Sequence, residues 1–498
     1  MEIVATFVPA PRSDPAEELR HPPQGATMVE LRADLLGKGR DLAPLVAASP
    51  LPVVVTLRSR AEGGEGPDEP AERRRFYETM ASLPAALFDL EATRDRELAD
   101  AVIPRDRVIL SAHVSDGIPA NLEERAAAML AEGTRFIKVV PTITTLSDVL
   151  AVLRLAQALN KGSRPAHRAV IFAAGEAGRA TRLLGPLLGA PLAYAAWDSA
   201  RTAAPGQYLA EEIGALIGHL NGRPRRLCAV LGLRVGGSLS PRMHAAAFRA
   251  LGIPNLFVPL EIAEAAELDA LLRPAGESPL DDIGLAVGGF AVTMPWKGEA
   301  ARRCTVLAPR ARRAEAANTV LPRPGKVLGD CTDIDGITRV LAEEGVELPG
   351  SRALVLGAGG AARAAVVALQ LAGAQVAVAA RDPSRAREMA ARLDVVVAEV
   401  EASARTAVVV NATPAGADGS ADPWLEGLRL PPDGVVVDLP YGAGPTFLEQ
   451  LAGGRGWRFV GGREVLLYQA VSQFAAMTGA APPVRAMAGA IGLEEASA

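Results

Sequence analysis

Lysine is nearly missing from this chain. Of its 52 lysines and arginines only five are lysine, at positions 38, 138, 161, 297 and 326. Arginine evidently supplies positive charge wherever charge alone is needed, so a lysine inside an apolar run calls for a separate reason. Cysteine is also scarce. Cys228, Cys304 and Cys331 lie far apart without metal-ligand spacing, which argues against a disulfide framework or a metal site and for free thiols in a reducing compartment. No run of 18 apolar residues occurs, so no membrane-spanning helix is expected. Strand-like sequence begins at Glu2, so no leader is expected and cytoplasm is the default. The net charge is −5 with both signs scattered, which leaves no basic patch for a nucleic acid. Aromatic residues make up 4% of the chain against 49 glycines, a composition suited to close helix-on-sheet packing. The length of 498 residues suggests two to four domains.

What the chain does have is a regular alternation. Short apolar runs at 3–8, 27–31, 52–57, 85–90, 107–112, 135–140, 168–173 and 191–196 are separated by other sequence, with clear helical intervals at 124–130, 146–159 and 208–220. Eight β/α units predict a (β/α)8 barrel, whose active site lies at the carboxyl ends of the strands. The run Arg135-Phe136-Ile137-Lys138-Val139-Val140-Pro141 carries a lysine in mid-strand. An amine can lose its proton when desolvated and attack a carbonyl to form an imine, which a guanidinium cannot do. The plain alternative is a lysine whose head reaches water.

The other strand ends are polar as well. They carry Glu30-Leu31-Arg32-Ala33-Asp34, Thr56-Leu57-Arg58 with Glu62-Gly63-Gly64, Asp89-Leu90-Glu91, His113, Arg182, and Ala204-Pro205-Gly206-Gln207. Alternation along a strand points Glu30 and Arg32 the same way. The set suggests imine formation at Lys138, proton transfer at His113, and arginines holding an anion. An imine acidifies the carbon beside it, which permits elimination or aldol cleavage. For Glu91 or Asp34 alone, a structural ion pair is the competing reading.

Together these motifs resemble type I 3-dehydroquinate dehydratase, over roughly residues 1–220. The resemblance implies Lys138 as Schiff-base residue, His113 as general acid/base and Glu62 as its support. It also implies Arg182 on the substrate carboxylate, Glu30, Arg58 and Gln207 on the rest of the ring, and Arg32 supporting them. The family's usual serine before Ala-Pro-Gly-Gln is Ala203 here.

A turn-rich, basic stretch at 221–226 separates this part from a second one, and the expected domains are 1–222, 223–334 completed by 463–498, and 335–462. Gly236-Gly237-Ser238-Leu239-Ser240-Pro241 runs into a helix. Its hydroxyls and the helix amino end either bind a carboxylate or cap the helix, with Ser240 as N-cap. Ala291-Val292-Thr293-Met294-Pro295-Trp296-Lys297 reads as a strand ending in a lysine. Arg352–Leu356 reads as a buried strand leading into Gly357-Ala358-Gly359-Gly360-Ala361-Ala362 and a helix, a dinucleotide-binding pattern. The next strand, 375–380, ends at Arg381 rather than at an acid, which suits the 2′-phosphate of NADP; a surface arginine is the alternative.

Residues 227–490 resemble shikimate dehydrogenase through Ser-x-Ser-Pro, Val-Thr-x-Pro-x-Lys, Asn-Thr-Val, Thr-Asp-x-x-Gly, Gly-Ala-Gly-Gly-Ala, Asn-Ala-Thr-Pro and Tyr-Gln-Ala. The resemblance implies Lys297 and Asp333 as catalytic pair. Ser238, Ser240, Thr293, Asn318, Tyr441 and Gln469 would bind substrate. Thr413 and Gly462 would lie along the nicotinamide and its ribose. Cys331 stands where the family commonly has asparagine. The whole chain thus resembles a fused dehydratase and NADP-dependent dehydrogenase of the shikimate pathway, acting on small anions with neither nucleic acid nor membrane as partner. A quinate-preferring catabolic pair and a non-catalytic regulator that binds intermediates are the alternatives. Oligomeric state is not legible.

Overall fold

The computed structural model describes residues 1–37, 39–161, 168–442 and 444–493. Lys38 and positions 494–498 of the expected closing segment lie outside the described residues. The chain divides into two compact units. The first holds Met1–Arg225 with the short segments Val258–Ala263 and Ile283–Leu285, and the second holds the rest.

In the first unit β1 (Glu2–Phe7), β2 (Met28–Arg32), β3 (Val53–Thr56), β4 (Leu87–Glu91), β5 (Val108–Val114), β6 (Phe136–Pro141), β7 (Ala169–Ile171) and β8 (Leu192–Ala196) form one parallel sheet. Their order is β7-β6-β5-β4-β3-β2-β1-β8. Every expected strand occurs, with ends within two residues of the expected ones. Because β1 pairs with both β2 and β8, the sheet curls into a nearly closed barrel. These strands are apolar on both faces, as parallel strands covered by helices must be: all four residues of β3, Val53-Val54-Val55-Thr56, are buried. Inward residues Val4, Met28, Val54, Leu87, Ile109, Val170 and Leu192 fill the barrel's middle. That plug leaves room for polar chemistry only at the strand ends. The helix Leu146–Leu159 starts where Thr145 and Asp148 cap each other's backbone N–H, a reciprocal arrangement that satisfies two otherwise orphaned donors.

The remaining strands form two sheets, and all of them belong to the second unit except residues 258–261 of one strand. β9 (Arg226–Gly232), β10 (Asn255–Glu261), β11 (Val287–Val292), β12 (Val306–Leu307), β13 (Thr319–Arg323) and β14 (Lys326–Asp330) are ordered β10-β9-β11-β13-β14-β12. The helices Gly462–Thr478 and Val484–Gly489 return to this sheet, packing Leu467, Ala470, Phe474 and Met487 on Val230, Phe248 and Phe257. The other sheet is parallel. It contains β15 (Arg352–Leu356), β16 (Gln375–Ala379), β17 (Val396–Val397), β18 (Val408–Asn411), β19 (Val435–Asp438) and β20 (Arg458–Val460), in the order β17-β16-β15-β18-β19-β20. The order reverses between β15 and β18, which opens a crevice at their carboxyl ends.

Two local expectations change. Lys297 does not end a strand: β11 stops at Val292 and Lys297 is the first residue of the helix Lys297–Arg303. The intervening Pro295 cannot donate to a ladder, so the strand ends before it. Ser240 is not the N-cap either. Leu239 holds that place and Ser240 is the first residue of the helix Ser240–Ala250, without a side-chain cap.

Candidate active sites

Lys138 projects from β6 to the barrel mouth and is 3% exposed. Its Nζ lies 2.5 Å from Asp89 Oδ2 and 3.6 Å from Glu30 Oε1. Glu30 is fixed by hydroxyl donors on both sides, Thr6 and Thr56, each at 2.8 Å. Arg58 gathers two acids of β4 and one from the turn that follows β3. It donates to Asp89 at 2.7 Å and to Glu62 and Glu91 at 3.1 Å each. Burial alone would raise the Asp89 carboxyl, but the Arg58 and Lys138 cations outweigh it and hold it well below the carboxylate range.

His113 ends β5. Its Nδ1 is 3.2 Å from Glu62 Oε2, and its backbone N–H donates to the same oxygen at 3.0 Å. Desolvation, with the Arg58 and Lys138 cations nearby, holds the imidazole well below its usual range, so it is neutral at neutral pH. Burial pushes Glu62 up to about 7 despite Arg58, and the charge of Glu91 adds to the rise. The pair is therefore a neutral base backed by a carboxylate that titrates near neutrality.

Lys138, Glu30, Arg58, Glu62 and His113 line a cavity of about 250 Å³ together with Arg32, Arg182 and Gln207. Arg182 sits in the helix Arg179–Leu187, is 4% exposed, and its Nε has no hydrogen-bond partner among the described residues. Burial, with the Arg179 charge, lowers it to about 10. A buried guanidinium without a counter-ion is a ready anion site. Arg32 is instead tied to Asp34 at 2.8 Å, and Gln207 Oε1 accepts the N–H of Ala203 at 3.0 Å. Glu91 is structural in its contacts, holding Arg58, the Ser59 N–H and Arg73.

In the second unit Lys297 and Asp333 each open a helix, and Lys297 Nζ lies 2.5 Å from Asp333 Oδ2. Asn318 donates to Gln469 Oε1 at 3.0 Å and accepts the Thr332 N–H at 2.7 Å. Tyr441 hydrogen-bonds to Ser238, and burial raises its phenol. Ser238 Oγ accepts the Ser240 N–H at 3.3 Å. Thr293 follows directly on β11.

At the crevice, Gly357 has φ +113°, and an added Cβ would meet Thr413 Cγ2 at 3.0 Å. Among the described residues no side chain caps the helix Gly360–Leu371, and a Cβ on Gly359 would meet open space. Ala358 and Ala361 flank that entrance. This suits a diphosphate seated on the helix amino end. Gly462 admits no side chain, because a Cβ would lie 2.3 Å from Leu439 O. Thr413 Oγ1 donates to Asn411 Oδ1 at 2.7 Å. Arg381 follows β16, is largely exposed, pairs with Asp422 and lies over the Trp424 ring.

Sequence reasoning gave no role to Asp89, Tyr194, Thr332 or Gln473. Asp89 was visible as the partner of Glu91 on one strand face. Tyr194 carried no signal beyond its place in an apolar strand. Gln473, one turn beyond Gln469, donates to Asn318 O at 3.0 Å.

The model for type I 3-dehydroquinase matches residues 5–222. That for the shikimate dehydrogenase substrate binding domain matches residues 230–320. The pentafunctional AROM polypeptide of Yarrowia lipolytica is 29% identical over 504 residues, which are 92% of this chain and 31% of that protein. The chain therefore spans about a third of that relative's length. The shikimate dehydrogenase (NADP(+)) of Acidiphilium cryptum is 38% identical over 266 residues, 52% of this chain and 92% of that protein. The one from Carboxydothermus hydrogenoformans is 33% identical over 288 residues, 55% of this chain and 99% of that protein.

Proposed function

The chain belongs to the shikimate dehydrogenase family over its second half and carries a type I 3-dehydroquinase barrel before it, and on that premise we propose that it converts 3-dehydroquinate to shikimate in two steps. The barrel removes water to give 3-dehydroshikimate. The second unit reduces that product with NADPH.

One observation carries the first step: a buried lysine against a carboxylate, in a cavity that also holds a neutral histidine and an unpaired arginine. Lys138 Nζ adds to the ring carbonyl carbon, the carbonyl oxygen leaves as water, and an iminium forms. His113 takes a proton from the adjacent carbon and the electrons pass into an enamine. The enamine expels the hydroxyl one carbon further on, which leaves as water with the proton His113 returns. Water then hydrolyses the iminium and frees Lys138. Arg182 holds the carboxylate, while Glu30, Arg58 and Gln207 hold the ring. Borohydride added with 3-dehydroquinate should leave a covalent mass on the peptide carrying Lys138. An unlabelled peptide in an active enzyme would refute imine chemistry.

Glu62 sets the pH dependence. It must be ionised to accept the Nδ1 proton and keep the Nε2 lone pair of His113 free. With its carboxyl near 7, it is protonated below that pH and ionised above it. The dehydration rate should therefore fall as pH drops through about 7. Glu62→Gln should lower the plateau and abolish this limb; an unchanged limb would place the titration elsewhere.

In the second unit Ser238, Ser240, Thr293, Asn318, Tyr441 and Gln469 bind the substrate. When bound, NADPH supplies the hydride. It would be held by residues 357–361, Thr413, Gly462 and Arg381. Lys297 and Asp333 move the proton at the substrate oxygen. Arg381→Ala should weaken NADP binding by roughly 10–100-fold, the loss of a charge-assisted bond, and leave NAD binding nearly unchanged. Titration calorimetry of both nucleotides checks this; equal losses would make Arg381 structural. The free thiols at Cys228, Cys304 and Cys331 support a cytoplasmic location. Among the described residues, no helix is long and apolar enough to cross a membrane.

A further inference from the structure

The reactive nitrogen of the barrel rests on a ring. Lys138 Nζ lies 4.4 Å from the centroid of the Tyr194 ring. Tyr194 is 5% exposed and lines the cavity. The Phe172 ring lies beside it, 5.8 Å away between centroids at 33°. Phe172 in turn carries the Arg182 guanidinium at 4.6 Å. The two cations assigned to the carbonyl and the carboxylate of the substrate thus each sit over one member of a ring pair. The Tyr194 hydroxyl is buried and has no hydrogen-bond partner among the described residues. Ordinarily a buried phenol finds a partner. Here only the ring makes a contact with chemical content.

We infer that the face of Tyr194 is a catalytic surface of the dehydratase, which stabilises the positive charge on Lys138 Nζ while that nitrogen is an iminium. The inference rests on the Schiff-base reading and adds a residue to it. Nζ attacks as a neutral amine and carries a positive charge once the iminium has formed. A carboxylate such as Asp89 offers directed acceptors, whose fit changes as the nitrogen changes shape. A ring face attracts the charge through its quadrupole and needs no particular hydrogen count. In a water-poor barrel mouth that attraction is at its strongest. Stabilising the cation keeps the imine protonated and the iminium populated, and only that protonated form makes the neighbouring carbon acidic enough for His113 to take its proton.

The test uses the full chain with 3-dehydroshikimate labelled with carbon-13 at its carbonyl carbon. The carbon chemical shift gives the iminium-to-ketone ratio of the bound molecule. Tyr194→Phe should keep that ratio within about twofold. Tyr194→Leu should lower it by about tenfold, the size of a desolvated cation–π contact, and lower the dehydration rate in parallel. Leucine could also disturb packing, so a second series replaces Tyr194 with phenylalanines carrying one, two and three fluorines. These keep the ring in place and drain its face of electron density. The ratio should fall stepwise along the series. An unchanged ratio across the fluorinated rings, or a loss in Tyr194→Phe equal to that in Tyr194→Leu, overturns the inference. If the parent enzyme itself shows no iminium, the Schiff-base reading fails and this inference falls with it.

Discussion

Lys138→Ala should abolish dehydration of 3-dehydroquinate, by roughly 10⁴–10⁶-fold as expected when a covalent nucleophile is removed, and leave shikimate oxidation within about twofold of the parent. Position alone could not support so large an effect, but the surroundings of Lys138 do. The amine is buried, held at 2.5 Å by Asp89, and opens on the cavity that also contains His113 and Arg182. Removing it leaves no other amine among the lining residues. It also removes one of two cations from Asp89, although Arg58 remains at 2.7 Å. Losing one partner of a buried pair destabilises, by roughly 3–5 kcal/mol when no second partner remains; with Arg58 in place the loss should be smaller. Lys138→Met, which keeps the length of the side chain, should show the same loss of rate. Circular dichroism and a melting curve separate lost chemistry from a lost fold. A dehydration rate within tenfold of the parent in either folded variant would exclude the imine route.

Lys297→Ala should do the reverse. Hydride transfer should slow by roughly 10²–10⁴-fold, the range for loss of a general acid/base, with dehydration unchanged. Lys297 and Asp333 both stand at helix starts, which fixes their backbones, and their side chains meet at 2.5 Å. Asp333→Asn keeps the shape and removes the charge, so it should be slow as well, though less so than Lys297→Ala. Neither group lies in the barrel cavity, so neither variant should touch the first reaction. Measuring both half-reactions in the Lys138 and Lys297 variants gives four rates. If either substitution silences both reactions in a folded protein, the two sites are not independent.

The barrel was legible because its strands are buried on both faces and read as short, continuous apolar runs. Lys138 stood out because lysine is so rare here that one inside such a run broke the pattern. Strand alternation placed Glu30 and Arg32, and the glycines before the helix Gly360–Leu371 placed the dinucleotide crevice. Other features depend on contacts between distant segments. Asp89 shows in the sequence only as the partner of Glu91 on one strand face, and takes its importance from Arg58 on β3's exit and Lys138 on β6. Tyr194 is one more apolar residue until the barrel closes and brings it under the lysine. Lys297 opens a helix instead of ending a strand; an apolar run continues past β11, and only Pro295 marks the end of the ladder. The pairing of Arg381 with Asp422 likewise joins residues 41 apart in the chain.

On the proposed function, one chain performs two consecutive reactions on one carbon skeleton. The most direct test incubates the protein with 3-dehydroquinate and NADPH alone, following nicotinamide absorbance and the organic acids by chromatography. Shikimate should appear with one NADPH consumed per 3-dehydroquinate converted, after a brief rise of 3-dehydroshikimate. Accumulation of 3-dehydroshikimate without NADPH consumption, or persistence of 3-dehydroquinate in a folded protein, would contradict it.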